Sequence, residues 1–201
     1  MKYRTLALIL ATAVASTACA PIIVGGAMVG SALVAVDRRS SGAQLDDQSI
    51  QVKAALRIKN ELGDKVHVDV NSYNRIVLLS GEATTDAARE QAGAIAKGVD
   101  NVSEVINELA VMPTSSLGTR ANDTLINTKV KATLVDAKDL VSGAFDIVVQ
   151  RGNVYLMGRV TAHEAERASN LVRTIEGVKK VVQCFEIITE EQLDQLQPKK
   201  K

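Results

Sequence analysis

The sequence contains no tryptophan and few other aromatics, two phenylalanines and three tyrosines among 201 residues. Any core must therefore be aliphatic, built from Val, Leu, Ile and Ala, and there is no aromatic platform on which bases or sugars could stack. An excess of one charge is missing as well. The formal net charge is +1, which gives nucleic acid no basic surface to find and removes it from the expected partners. The two histidines, His67 and His163, have no second His or Cys at ligand spacing. They read as solvated or structural side chains rather than metal ligands or general bases. No phosphate loop, Gly-x-Ser-x-Gly or triad is present, so neither catalysis nor a cofactor is expected.

A long apolar run is also lacking. Residues 20–36 are apolar for 17 positions but are broken by Gly25, Gly26 and Gly30, whereas a bilayer-spanning helix takes about 20. The segment reads as one lying at a membrane surface or packed on the protein. Ahead of it stand a basic start (Lys2, Arg4), an apolar stretch from Leu6 to Ala15, and Ser16-Thr17-Ala18-Cys19. That is the layout of a secretory signal with small residues before the cut. The cysteine gives it the pattern of a lipobox, with Ser16 where Leu, Val or Ile is usual. Residues 1–18 are then a lipoprotein signal peptide and Cys19 is the lipidated mature N-terminus. Loss of Lys2 and Arg4 takes the net charge from +1 to −1. A lipid on Cys19 leaves Cys184 without a disulfide partner; inside Val181-Val182-Gln183-Cys184-Phe185 it reads as a small buried hydrophobe. Asp37-Arg38-Arg39-Ser40-Ser41-Gly42 reads as a polar linker, so that 19–44 precede the first domain.

Beyond the linker the chain repeats itself. Val52-Lys53-Ala54-Ala55-Leu56 returns as Val130-Lys131-Ala132-Thr133-Leu134, and Asp69-Val70 as Asp146-Ile147. Val77-Leu78-Leu79-Ser80-Gly81-Glu82-Ala83-Thr84 returns as Val154-Tyr155-Leu156-Met157-Gly158-Arg159-Val160-Thr161, and Gly98-Val99 as Gly177-Val178. The offsets are 78, 77, 77 and 79. Two copies of one domain follow, over 45–112 and 119–189, joined by a loop from Met112 to Gly118 and followed by a tail, 190–201.

Each copy predicts the same elements. An amphipathic helix carries Val52 and Leu56, or Ile126, Val130 and Leu134, on its core face. Two strands follow, Val66 to Asn71 with Arg75 to Leu79 and Phe145 to Val149 with Asn153 to Met157, turning at Ser72-Tyr73-Asn74 and Gln150-Arg151-Gly152. Thr161 and Glu164 form a capping box for the second helix, where the first copy has Thr84 without an acid. Those helices close at Gly98 and Gly177, and a last strand runs from Val102 to Val111 or from Val181 to Ile188. The fold class is α+β: αββαβ twice, each a three-stranded mixed sheet with two helices on one face. Copies of this size sit near the lower limit for one core, so the two are expected to pack together. The repeated Asp69 and Asp146 are expected to serve the fold near the strand start.

The paired Val-Leu-x-Gly-x-[Ala/Val]-Thr blocks, each followed by a helix and a Gly-Val turn, resemble two BON domains. With the lipobox, the Gly/Ala/Val run, Val36-Asp37-Arg38-Arg39-Ser40 and Asn122-Asp123-Thr124, the chain is similar to the dual BON-domain outer-membrane lipoproteins of Gram-negative bacteria. The resemblance implies a lipid-anchored, periplasm-facing protein of the outer membrane that supports envelope integrity without catalysis. It also implies binding of anionic phospholipid through the second domain; Ala20 after Cys19 fits outer-membrane delivery. In such relatives a Trp follows the Asn-Asp-Thr and anchors the contact, and here that position is Leu125.

The copies also differ in charge. Residues 45–112 hold 7 basic and 11 acidic side chains, net −4, and residues 119–189 hold 10 and 8, net +2. An anionic surface prefers the second, each nearby base being worth about 1 kcal/mol there. On the 78 offset, Leu125-Ile126 replace Asp47-Gln48. The candidate phospholipid contacts are Arg120, Leu125, Ile126 and Lys129, with Ile126 also continuing the core stripe. An exposed Leu flanked by bases suits insertion below headgroups; an ordinary surface Leu is the alternative. Three functions compete: a tethered phospholipid binder; an adaptor between envelope proteins, such as outer-membrane assembly or cell-wall machinery; and a small-ligand sensor, for which no residue cluster stands out in the sequence.

Overall fold

The computed structural model describes residues 37–196. Cys19, the expected signal peptide and the 20–36 segment lie outside them. The described chain runs α1 (Ser41–Leu62), β1 (Val66–Tyr73), β2 (Ile76–Ala83), α2 (Asp86–Lys97), β3 (Glu104–Asn107) and β4 (Ala110–Val111). It then repeats the order as α3 (Leu117–Asp136), β5 (Phe145–Gln150), β6 (Asn153–Val160), α4 (Ala162–Arg173) and β7 (Lys180–Ile187), and ends in α5 (Glu190–Leu196). In each domain the central strand, β2 or β6, pairs antiparallel with the strand before it and parallel with the one after the helix. The third strand of the first domain, expected to be continuous, is broken. The Asn107 amide donates to Arg89 O at 2.7 Å and its oxygen accepts from Leu109 N at 3.3 Å. That turns Leu109 down into the core, where it is buried.

Geometry corrects the register of the repeat. The hairpins keep the 77 offset, and the reason is steric. A Cβ on Gly81 (φ 119°) would overlap the His67 carbonyl, and one on Gly158 the Ala144 carbonyl, so both blocks need glycine. The first helices match at 76, not 78. Asp47-x-x-Ile50-x-x-x-Ala54-x-x-x-Ile58 superposes on Asp123-x-x-Ile126-x-x-x-Val130-x-x-x-Leu134, and all eight are buried. Val52 and Leu56, expected in the core, are instead 59% and 57% exposed. The core of α1 is narrower because Ala54 lies with Ala88, Ala92 and Ala96 in one buried cluster shared by α1 and α2, where small side chains bring helices close.

After the hairpin the offset returns to 76, because the N-cap of α2 is Thr85 rather than Thr84; Thr161 caps α4 in a full capping box with Glu164. The left-handed residue that turns each chain into its last strand is accordingly Asn101 (φ 69°) or Gly177 (φ 95°), and Gly98 is no counterpart of Gly177.

The first turn sits later than expected and the second is one residue shorter, so Ser72, Tyr73 and Gln150 belong to strands. Their central residues, Asn74-Arg75 and Arg151-Gly152, have positive φ throughout, the type I′ pattern that matches strand twist. Three of the four are not glycine, and a buried carboxylate holds each pair. Asp47 accepts from Asn74 N and Arg75 N at 2.8 Å each, and Asp123 from Arg151 N and Gly152 N at 2.7 Å each. These aspartates, rather than Asp69 and Asp146, are the repeated acids that serve the fold.

Helices cover one face of each sheet over separate aliphatic cores. The opposite faces pack on one another: Tyr73 and Leu78 meet Tyr155, Met157 and Cys184 in a third buried cluster. The two central strands are thus buried on both sides, which is why they read as continuous apolar runs. Burial pushes the Cys184 thiol up to about 12, with Glu108 and Glu104 adding to it, as a buried hydrophobe rather than a reactive thiol would show. The domains lie head to tail. Asn74 at the first hairpin reaches Glu186 at the end of β7, while Arg151 at the second reaches Gly81 O and Glu82 at the end of β2.

Residues 37–40 are no linker. Arg38 is buried and forms a two-pronged pair with Glu164 of α4 at 2.7 Å and 2.7 Å. Arg39 pairs with Asp37 and Asp47 and lies 4.1 Å over the Tyr73 ring. The chain that leads in from Cys19 is therefore clasped onto the second domain before α1 begins.

Candidate membrane-contact surface

α3 carries the surface at issue. The Ser116 hydroxyl caps its start by accepting from Thr119 N at 3.2 Å. Asp123, Ile126, Val130 and Leu134 form its inward stripe, fixed by the core and the β5–β6 turn. The outward stripe is apolar over the same length: Leu117 is 83% exposed, Leu125 63% and Val135 59%, with exposed Ala121, Thr128 and Ala132 between them. Lys129 stands one turn beyond Leu125 and is exposed. Its ammonium is 3.6 Å from Glu176, a fully solvated carboxylate that holds it weakly. Lys179 lies alongside, against Gly152 of the second hairpin turn.

The four expected contact residues therefore divide. Leu125 and Lys129 share the outward face. Ile126 is 2% exposed and packs under Gly177 in the core; it would have to leave that core to touch lipid, so it is withdrawn from the contact set. Arg120 turns nearly half a helical revolution away from Leu125, into a groove between α3 and β1 of the first domain. In the corrected register Leu125 replaces Ser49, not Asp47. Leu117 and Val135 were missed. Their i,i+4 and i,i+3 relation to Ala121, Leu125, Thr128 and Ala132 was legible, but only once the inward stripe had been placed.

Two buried carboxylates bind the domains together near this surface, and neither stood out in the sequence. Glu82, 2% exposed, accepts from Ser115, Gln150 and Arg151. Burial alone would raise its carboxyl, yet the bonds from Ser115 and Arg151 and the Arg151 charge hold it below the ordinary value. Glu164 is likewise raised by burial but brought below its ordinary value by Arg38 and the Thr161 amide. His67, expected to be solvated or structural, places Nδ1 3.3 Å from the other Glu82 oxygen at the groove's edge, while His163 is exposed at the start of α4. No cluster of three or more His, Cys, Asp or Glu among the described residues is arranged to hold a metal, and no described helix is long and apolar enough to cross a membrane.

Comparison with known proteins finds the BON domain twice, over 46–113 and 122–188. The chain is 33% identical to the outer membrane lipoprotein DolP of Haemophilus influenzae over 92% of its own length and 96% of that protein. It is 29% identical to a 21 kDa hemolysin of Actinobacillus pleuropneumoniae, over 76% of this chain and 80% of that one. To the osmotically-inducible protein Y of Escherichia coli it is 32% identical, over 70% and 72%.

Proposed function

This chain belongs to the BON-domain family, and from that premise we propose that it is an outer-membrane lipoprotein, anchored through Cys19 and facing the periplasm. In this reading it lays the outward face of α3 on anionic phospholipid and so supports envelope integrity. The observation that carries the lipid contact is Leu125, well exposed and one turn from Lys129 on the basic domain. A leucine at headgroup depth contributes through buried apolar area, and the neighbouring lysines add attraction to anionic lipid. The lipobox supports the anchor, as does the likeness to the outer membrane lipoprotein of Haemophilus influenzae, which matches almost end to end.

The test uses the full chain in uncharged detergent, with transfer to vesicles of zwitterionic lipid with or without phosphatidylglycerol. Binding should rise with the anionic fraction and fall with salt. Leu125→Asp should weaken it about tenfold or more, the scale of removing one apolar side chain and adding a repelled charge. Binding that is indifferent to the anionic lipid, or untouched by Leu125→Asp, would remove α3 as the contact.

A second reading, an adaptor between envelope proteins, draws on α1. Leu45, Val52 and Leu56 are 67%, 59% and 57% exposed on the acidic domain. It predicts that Val52→Asp, and not Leu125→Asp, abolishes the phenotype of the intact protein.

A further inference from the structure

Every other described arginine donates through its guanidinium to a carboxylate, carbonyl or amide oxygen. Arg120 donates to none among the described residues, although its Nε is shut off from solvent. It faces a cavity of about 620 Å³ at the seam of the two domains, with α3 on one wall and His67 and Asp69 of β1 on the other. Lys131, three turns along the same side of α3, also lines the cavity and makes no ion pair among the described residues. Between them stand Thr124 and Thr128, whose hydroxyls donate to the backbone carbonyls one turn back, each at 3.0 Å. That leaves their lone pairs open to the cavity. Asp123 also borders it, but its carboxylate is occupied by the hairpin amides.

The first domain supplies a control. In the corrected register the counterparts of Arg120, Thr124, Thr128 and Lys131 are Gln44, Gln48, Val52 and Ala55, with no cation among them. At these four positions the second copy carries two bases without an ion pair among the described residues, and the first carries none. Unpaired guanidinium in a partly desolvated site is poorly compensated, and its strong partners are carboxylate and phosphate oxygens.

We propose that this seam cavity is an anion site for a phosphorylated polyol. Arg120 and Lys131 hold the phosphate, while Asp69 and the Thr124 and Thr128 oxygens accept hydrogen bonds from the ligand's hydroxyls. The same chemistry is offered by a free sugar or glycerol phosphate and by a glycerophosphate lipid headgroup. Arg120 and Lys131 stand roughly 120–140° around α3 from Leu125, and Thr128 alone borders both faces, so the two cations are separate from the membrane contact proposed above.

Calorimetric titration of the full chain in uncharged detergent micelles with sn-glycerol 3-phosphate tests it, alongside a second titration in micelles doped with phosphatidylglycerol. Saturable binding to the soluble probe, weakened about tenfold by Arg120→Gln as expected for one charge-assisted contact, supports a free phosphorylated ligand. Binding confined to the doped micelles and equally weakened by Arg120→Gln supports the headgroup. Lys131→Gln, at an exposed position that cannot disturb the core, should weaken whichever binding is seen. Absence of binding in both titrations, or affinity retained in both Arg120→Gln and Lys131→Gln, overturns the proposal.

Discussion

Asp47 and Asp123 show how much a single side chain decides in this fold. Each carboxylate caps two amides of a type I′ turn, and three of the four turn residues are non-glycine and would otherwise enter it at a cost. Asp123→Ala leaves two inward donors unpaired, at about 1–3 kcal/mol each. Its urea midpoint should drop well below that of the parent, with Asp123→Asn falling between. Glu82 and Glu164 act at the same scale but across domains. Both carboxyls lie below their ordinary value in the folded protein, so both bind fewer protons folded than unfolded near that value. Their contribution is complete above the ordinary glutamate pKa of about 4.3 and fades as pH falls through the lower folded value. Thermal unfolding followed from pH 7 to pH 3 should show a decline in the parent that is shallower in Glu82→Gln, which starts from a lower stability at pH 7.

At the scale of elements, the hairpins were the most legible part of the sequence. Gly81 and Gly158 are demanded by the carbonyls of His67 in β1 and of Ala144 just before β5, so the blocks around them cannot drift. Gly81→Ala meets both that oxygen and a positive φ, and should lower stability by more than about 1 kcal/mol in chemical denaturation. The helices were less legible. Val52-Lys53-Ala54-Ala55-Leu56 matches Val130-Lys131-Ala132-Thr133-Leu134 at four of five positions, yet the buried stripes align two positions away, because packing tolerates Ala54 where the second copy has Val130. The contact surface inherits that difficulty. Leu125 and Lys129 could be placed on the outer face from helical spacing. Proximity in sequence groups Arg120 with them, whereas its actual surroundings come from β1, some fifty residues earlier in the chain.

At the scale of the molecule, two domains packed sheet to sheet leave all four main helices outside, and the lead-in chain is locked to this unit by Arg38. Arg38→Ala leaves Glu164 buried without its partner, a loss of about 3–5 kcal/mol, and should lower the melting temperature far more than Arg38→Ala with Glu164→Gln together. The head-to-tail arrangement sets the end where residue 37 enters, beside the first hairpin, opposite the end where α3 begins beside the second. In the proposed reading lipid is touched along the outward face of α3 and not along that of α1. Depth measurement on the full chain bound to phosphatidylglycerol-containing vesicles tests this most directly, with a nitroxide at position 125 or 52 in a Cys184→Ala background. The account predicts that the label at 125 is shielded from an aqueous relaxant and reached by a lipid-soluble one, while the label at 52 behaves in the opposite way. A label at 125 open to water, or a label at 52 immersed in lipid, would contradict it.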